Sequence, residues 1–211
     1  MKKFELTNEF VTNMFGTKLF RIRALVEFGD VEAGELGGYV EKESNLGHDD
    51  NAWVYDNARV YGNAWVYGDA QVSGDALVYG NARVYDNAWV YGNAQVSGNA
   101  RVYGNARVCG NALVYGNAWV CGDARVCGNG DYAYAHGFGS VNRTTTFFRL
   151  KDGGVGVRCG CFYGTLAQFR DKIRETHGET KKAQEYLMLA DLMELRFEED
   201  ENEVGNRKYV E

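Results

Sequence analysis

The chain has 211 residues, 45% of them hydrophobic and 25% charged, and a formal net charge of −6. That is enough for one ordinary domain or one solenoid with caps, and collagen-like or wholly disordered readings are excluded. No run approaches the roughly 18 apolar residues of a spanning helix, and the opening MKKFELTNEF lacks the apolar stretch of a signal peptide, so a cytoplasmic protein with no membrane partner is expected.

The first 36 residues are expected to form an N-terminal β cap, because Phe20, Ile22 and Ala24 alternate as in a strand or hairpin lying over the start of a repeat region. From Asn51 to Gly128 the chain repeats every six residues as Asn/Asp-Ala-x-Val-Tyr-Gly, thirteen times without a slip. Ala and Val of each Ala-x-Val triplet point one way and x the other, as in a short strand, and the Gly/Asp and Asn/Asp after them make a corner. Six residues are too few for a paired hairpin, and helices need spacings of three and four. A parallel β-helix remains: three strands and 18 residues per coil, Val and Ala inward, coils hydrogen-bonded at about 4.8 Å. Gly and Asn suit its corners, and stacked Asn side chains bond one another along the axis. Two looser hexads place Gly38/Val40 and Ser44/Leu46 in the small and aliphatic slots before His48, Asp49 and Asp50 interrupt the spacing, so residues 37–130 make about five coils.

The Val-Tyr-Gly-Asn-Ala-x phase resembles the hexapeptide-repeat (LpxA-like) superfamily of left-handed β-helix proteins, over about 90 of the 211 residues. Residues 20–40, FRIRALVEFGDVEAGELGGYV, resemble the opening segment of the YdcK-like group of that superfamily. Residues 140–197, which include GCFYGTLAQFRDKIRETHG, resemble the C-terminal module of hexapeptide proteins carried by bacteriophages and prophages. The superfamily resemblance implies a homotrimer; none of the three implies a particular reaction.

Beyond the coils, residues 131–163 read as a transition and a β-hairpin, 144–150 against 155–162 around Lys151-Asp152-Gly153-Gly154. Residues 164–197 read as a helical module. Thr165 is the N-cap and Gly178 the stop of a helix with Leu166, Phe169 and Ile173 on one face; Ala183, Tyr186, Leu187, Ala190, Leu192 and Met193 mark a second helix to about Phe197. These faces need cover, either on a flank of the β-helix or against other copies in a trimer. An acidic tail, 198–211, is expected to fray.

Counting hexads three per coil sorts the outward residues onto three flanks. The first carries Trp65/Tyr67, Arg83/Tyr85, Arg101/Tyr103 and Trp119/Cys121. The second carries Arg59/Tyr61, Leu77/Tyr79, Gln95/Ser97 and Leu113/Tyr115; the third, Trp53/Tyr55, Gln71/Ser73, Trp89/Tyr91, Arg107/Cys109 and Arg125/Cys127. The first brings aromatic faces and two guanidinium groups together, the chemistry that stacks bases and clamps phosphates. Trp65, Tyr67, Arg83, Tyr85, Arg101, Tyr103 and Trp119, with Arg143, Arg149 and Arg158 of the C-terminal module, are therefore the candidate ligand-binding residues. A structural reading stands beside this one. Residues 57–80 and 81–104 agree at 20 of 24 positions, a four-hexad duplication that rotates each copy by one flank, as drift in a scaffold would, and exposed aromatic pairs also stabilise sheets.

Five cysteines without secretory context are expected to be reduced structural thiols, and no metal site is expected. Residues 51–128 balance five Asp with five Arg, so no basic stripe exists for duplex nucleic acid. Acyltransferases of this fold use a His from a coil, whereas His48, His136 and His177 all lie outside residues 51–128; His136 is the runner-up base. The leading expectation is a non-enzymatic trimer that binds or sequesters a nucleotide-type anion without a cofactor, in the manner of a phage or prophage anti-defence sponge. An acyl- or acetyltransferase-like enzyme and a structural scaffold are the competitors.

Overall fold

Every hexad alternates Ala and Val with a variable residue, and in the computed structural model, which describes residues 2–139 and 142–198, that alternation lines a parallel β-solenoid of about five coils. β1 (Phe4–Thr12), β2 (Lys18–Ala24) and β3 (Leu36–Val40) come first. Strands β4 to β16 come next, two residues each, starting at Trp53, Arg59, Trp65, Gln71, Leu77, Arg83, Trp89, Gln95, Arg101, Arg107, Leu113, Trp119 and Arg125. Each of β4 to β13 pairs in parallel with the strand three places on, as Trp65 does with Arg83 and Arg101 with Trp119. Three walls result, and apart from Trp53 their outward residues are those assigned by counting hexads: β6-β9-β12-β15, β5-β8-β11-β14 and β4-β7-β10-β13-β16. The thirteen repeat Ala and thirteen repeat Val residues are at most 1% exposed. At roughly 1.5–3 kcal/mol for each buried Val, this bore is the main source of stability.

Val40, Leu46 and Val54 form the first coil, one on each wall, with Val40 paired to Val60 and Leu46 bridged to Val66. The small slot expected at Ser44 is filled instead by Asn45. Asn45 is buried and donates from Nδ2 to the carbonyls of Gly62 and Ala64, which offsets the cost of placing an amide in the bore. At the corners, Asp56 and Asp86 take the positive φ that glycine holds elsewhere (53° and 57°). Each carboxylate accepts from the N–H of the corner one coil on, Gly74 or Gly104. Asn63, Asn81, Asn99 and Asn117 form an amide ladder at 3.0–3.3 Å.

A solenoid leaves unpaired backbone at both ends, and both ends here are closed. The β1–β2 hairpin covers the first coil, with Phe4, Ile22 and Ala24 buried in one core with Val40, Leu46 and Val54. It does so by continuing the second wall past the coil, in the order β1-β2-β3-β5-β8-β11-β14. Phe4 and Phe28 then meet Trp53 edge-on, at ring-centroid distances of 6.2 and 5.3 Å, so Trp53 is fully buried and is no longer an outer-wall residue. Buried Lys3 donates from Nζ to the carbonyls of Asp50 and Ala52 and lies 4.5 Å from the Phe28 ring centroid. Burial pulls its ammonium down from the ordinary 10.5 to about 8, against the attraction of Asp50.

At the far end the expected hairpin is part of a larger sheet: β17 (Tyr132–Phe138), β18 (Arg143–Arg149), β19 (Val155–Cys159) and β20 (Phe162–Thr165), antiparallel in that order. The last coil is capped wall by wall. Leu113 N donates to Asn129 Oδ1 at 2.8 Å, Trp119 N donates to Thr146 Oγ1 at 3.0 Å, and Ala124 bridges Leu150. Thr165 caps α1 (Leu166–His177), Gly178 ends it, and Thr180 caps α2 (Lys181–Phe197). These helices bury Phe169, Ile173, Ala183, Tyr186, Ala190 and Met193 with Phe147 and Val157 of their own sheet. Within this chain their cover is therefore that sheet and not a solenoid flank; Leu192, placed on the apolar face by spacing, is exposed. The expected acidic tail lies, beyond Glu198, outside the described residues.

Candidate functional site

On the first wall the Tyr after each of β6, β9 and β12 lies flat on its neighbour. Ring centroids are 4.9 Å apart from Tyr67 to Tyr85 and again to Tyr103, with planes within 3° of parallel, and Trp65 stacks on Tyr67 at 4.1 Å. The ladder is a product of the 18-residue coil, which returns the same position at the strand spacing. It also uses up the faces of the middle rings. At its far end Tyr103 is neighbour to buried Cys121; burial, then Cys121, raise the tyrosine well above its ordinary value. Trp119 is clasped by two guanidinium groups, Arg101 at 4.6 Å and Arg158 at 5.3 Å from its ring centroid.

The ten candidate ligand-binding residues are thus only partly brought together. Trp65, Tyr67, Arg83, Tyr85, Arg101, Tyr103 and Trp119 share the wall, and Arg158 reaches it from the C-terminal sheet. Arg143 is exposed on β18, its guanidinium against Gly160. Arg149 is buried: it pairs with Asp131 at 3.6 Å, donates to the carbonyl of Phe197 at 3.0 Å and faces the Phe197 ring. It holds α2 to the sheet and is withdrawn from any ligand surface. His136 is exposed on β17, with Nδ1 2.9 Å from Thr144 Oγ1. The His177 ring lies against Tyr186 at the end of α1.

The third wall holds what counting hexads does not reveal, a groove of about 620 Å³. Its ends are framed by Gly29 and Asp30 from the N-terminal excursion and by Lys151 from the β18–β19 turn. Along its floor run Gln71, Trp89, Arg107 and Arg125, in register on successive strands. Arg107 lies 5.3 Å from the Trp89 ring centroid, and Trp89 Nε1 donates to Ser73 Oγ. Arg125 donates to the carbonyls of Asn105 and Ala124. Burial, and then the Arg107 charge, lower its ordinary value. Among the described residues, none of the ion pairs involves Arg107, Arg125 or Lys151. Beyond the same wall's Tyr91, the thiols expected to be reduced are joined instead: Cys109 and Cys127 form a disulfide between successive coils, Cα atoms 4.3 Å apart, because the 18-residue repeat stacks one upon the other. Cys121, Cys159 and Cys161 are free.

Five coils of hexapeptide strands with outward aromatic and guanidinium side chains define a hexapeptide-repeat β-helix. The repeats match the model of the YdcK β-solenoid repeat at residues 52–68, 70–82, 78–92, 94–108 and 106–122, and the solenoid is of this YdcK-like kind. The match falls on the coils, beyond the 20–40 segment whose residues carry the resemblance to that group. No curated protein matches the chain.

Proposed function

We propose that the protein is a non-enzymatic β-solenoid that captures a small anionic ligand of nucleotide type and works as a trimer in the cytoplasm. One observation carries this reading. On two walls a guanidinium lies against an indole face, Arg101 on Trp119 and Arg107 on Trp89, and both walls set a second Arg in register beside it, Arg83 and Arg125. Adjacent like charges on neighbouring strands are unfavourable, and a phosphate-bearing ligand removes that cost while an aromatic ligand extends the stacking. Support for the trimer is the superfamily resemblance together with exposed Trp65, Leu113 and Tyr115 on the outer walls. Support for a phage or prophage sponge is the resemblance of the C-terminal module.

Native mass spectrometry of gently purified protein tests copy number and retained ligand together, and calorimetry against a nucleotide panel tests capture. Stoichiometric nucleotide binding without turnover is the expected result. Acetyl-coenzyme A turnover that disappears in His136→Ala would replace capture with acyl transfer.

A further inference from the structure

We propose that the framed groove of the third wall, and not the aromatic ladder of the first, is the ligand site, with Arg107, Arg125 and Lys151 holding a phosphate group and Gln71 and Asp69 meeting the polar edge of a ring. This rests on the capture reading and adds to it a place, a polarity and a set of side chains.

The two walls carry similar residues, so shape decides between them. On the first, the rings of Tyr67, Tyr85 and Tyr103 stack on one another, and Trp119 is clasped by two guanidinium groups. A base arriving there finds those middle faces already occupied. The third wall is a concavity of about 620 Å³, inside the ~300–1,000 Å³ range usual for small-molecule sites. Both of its ends are built by segments outside the repeat.

The groove is electrically polarised. Arg107 and Arg125 are register partners on neighbouring strands, and Lys151 stands at the same end, its own N–H donating to the carbonyl of Asp123. Asp123 Oδ1 accepts from Asn105 Nδ2 and its charge also acts on Arg125, so this end sets three cations against one carboxylate; Asp69, whose Oδ1 accepts from Asn51 Nδ2, lies towards the other end. Asp30 and Asp69 make the opposite end acidic, so an anion is favoured at the Arg107–Arg125 end, where cations are in excess. From Arg125 to Gln71 is three coil steps, about 14 Å at the strand spacing, the reach of a ligand with a phosphate at one end and a planar ring at the other. Trp89 lies between them, its ring fixed by Ser73 and covered on one side by Arg107.

Calorimetry on the full chain with ADP and with inorganic pyrophosphate tests the proposal at low salt. Both probes are expected to bind, ADP more tightly because only it reaches Gln71 and Asp69. The double variant Arg107→Ala/Arg125→Ala should weaken ADP at least tenfold, and Arg83→Ala/Arg101→Ala less than twofold. Lys151→Glu, on an exposed turn where folding is not at stake, should weaken both probes severalfold. Loss confined to the first-wall variant overturns the site and leaves capture standing. Absence of binding to the unaltered protein by either probe overturns both.

Discussion

Replacing Thr146 by Val removes an acceptor without changing shape, and the last coil of the solenoid should register the loss. Thr146 is fully buried, and its Oγ1 takes the Trp119 N–H at 3.0 Å, the bond that a sixth coil would otherwise supply on the first wall. Leaving a buried N–H unpaired costs about 1–3 kcal/mol; because this bond is only partly shielded, about 1 kcal/mol is expected for Thr146→Val. Thr146→Ser keeps the oxygen and loses one methyl, about 0.8 kcal/mol, so energy alone separates the two poorly. Amide exchange separates them well. In Thr146→Val the Trp119 amide should exchange about fivefold faster relative to Val90 in the middle coils, whereas Thr146→Ser should leave that ratio unchanged. Equal protection of Trp119 in both variants, measured by hydrogen exchange beside urea unfolding, would refute the view that side-chain oxygens stand in for the missing coil.

Val84→Ala empties two methyl positions in the middle of the bore and should cost about 2 kcal/mol in urea unfolding with no change in m-value. At the Asp86 corner, Asp86→Gly should be near neutral, trading the bond to Gly104 for relief of positive φ, while Asp86→Ala, which keeps the strain and loses the bond, should cost about 1–2 kcal/mol in the same assay. Lys3 titrates near 8 when folded and near 10.5 when unfolded, so the unfolded chain holds the proton longer and stability should rise between those pH values; urea midpoints at pH 7.5, 9 and 10 should show the rise, and Lys3→Met should flatten it. Arg149→Ala breaks the pairing with Asp131 and the bond to Phe197, and should cost about 3 kcal/mol, seen as lost helical circular dichroism before the solenoid melts.

The coils are readable from sequence because their period is rigid. Once Ala and Val face inward, counting by three places Trp65 above Arg83 and Arg107 beside Arg125 with no further information. The Thr165 cap and Gly178 stop are readable for a similar local reason. What escapes comes from segments without a period acting over long separations: Lys3 on Ala52, Phe28 over Trp53, Asn129 on Leu113 and Lys151 at the mouth of the groove. A residue such as Arg149 looks like a surface cation in the sequence; only the fold sets it between Asp131 and Phe197. The disulfide is the converse case, since the adjacency of Cys109 and Cys127 is visible in the repeat and only the expected compartment argues against their bond.

Because Asp30 and Lys151 face the same wall from opposite ends, the number of hexads between them acts as a phase lock. Removing 18 residues should shorten the groove by one coil, about 4.8 Å, and leave its two gateposts aligned. Removing six should swing one gatepost by a third of a turn and abolish the groove, although every Val and Ala would still find its place. Natural lengthening of such a chain is thus free to change in any multiple of six as far as folding is concerned, but only in multiples of eighteen if the groove is to be kept.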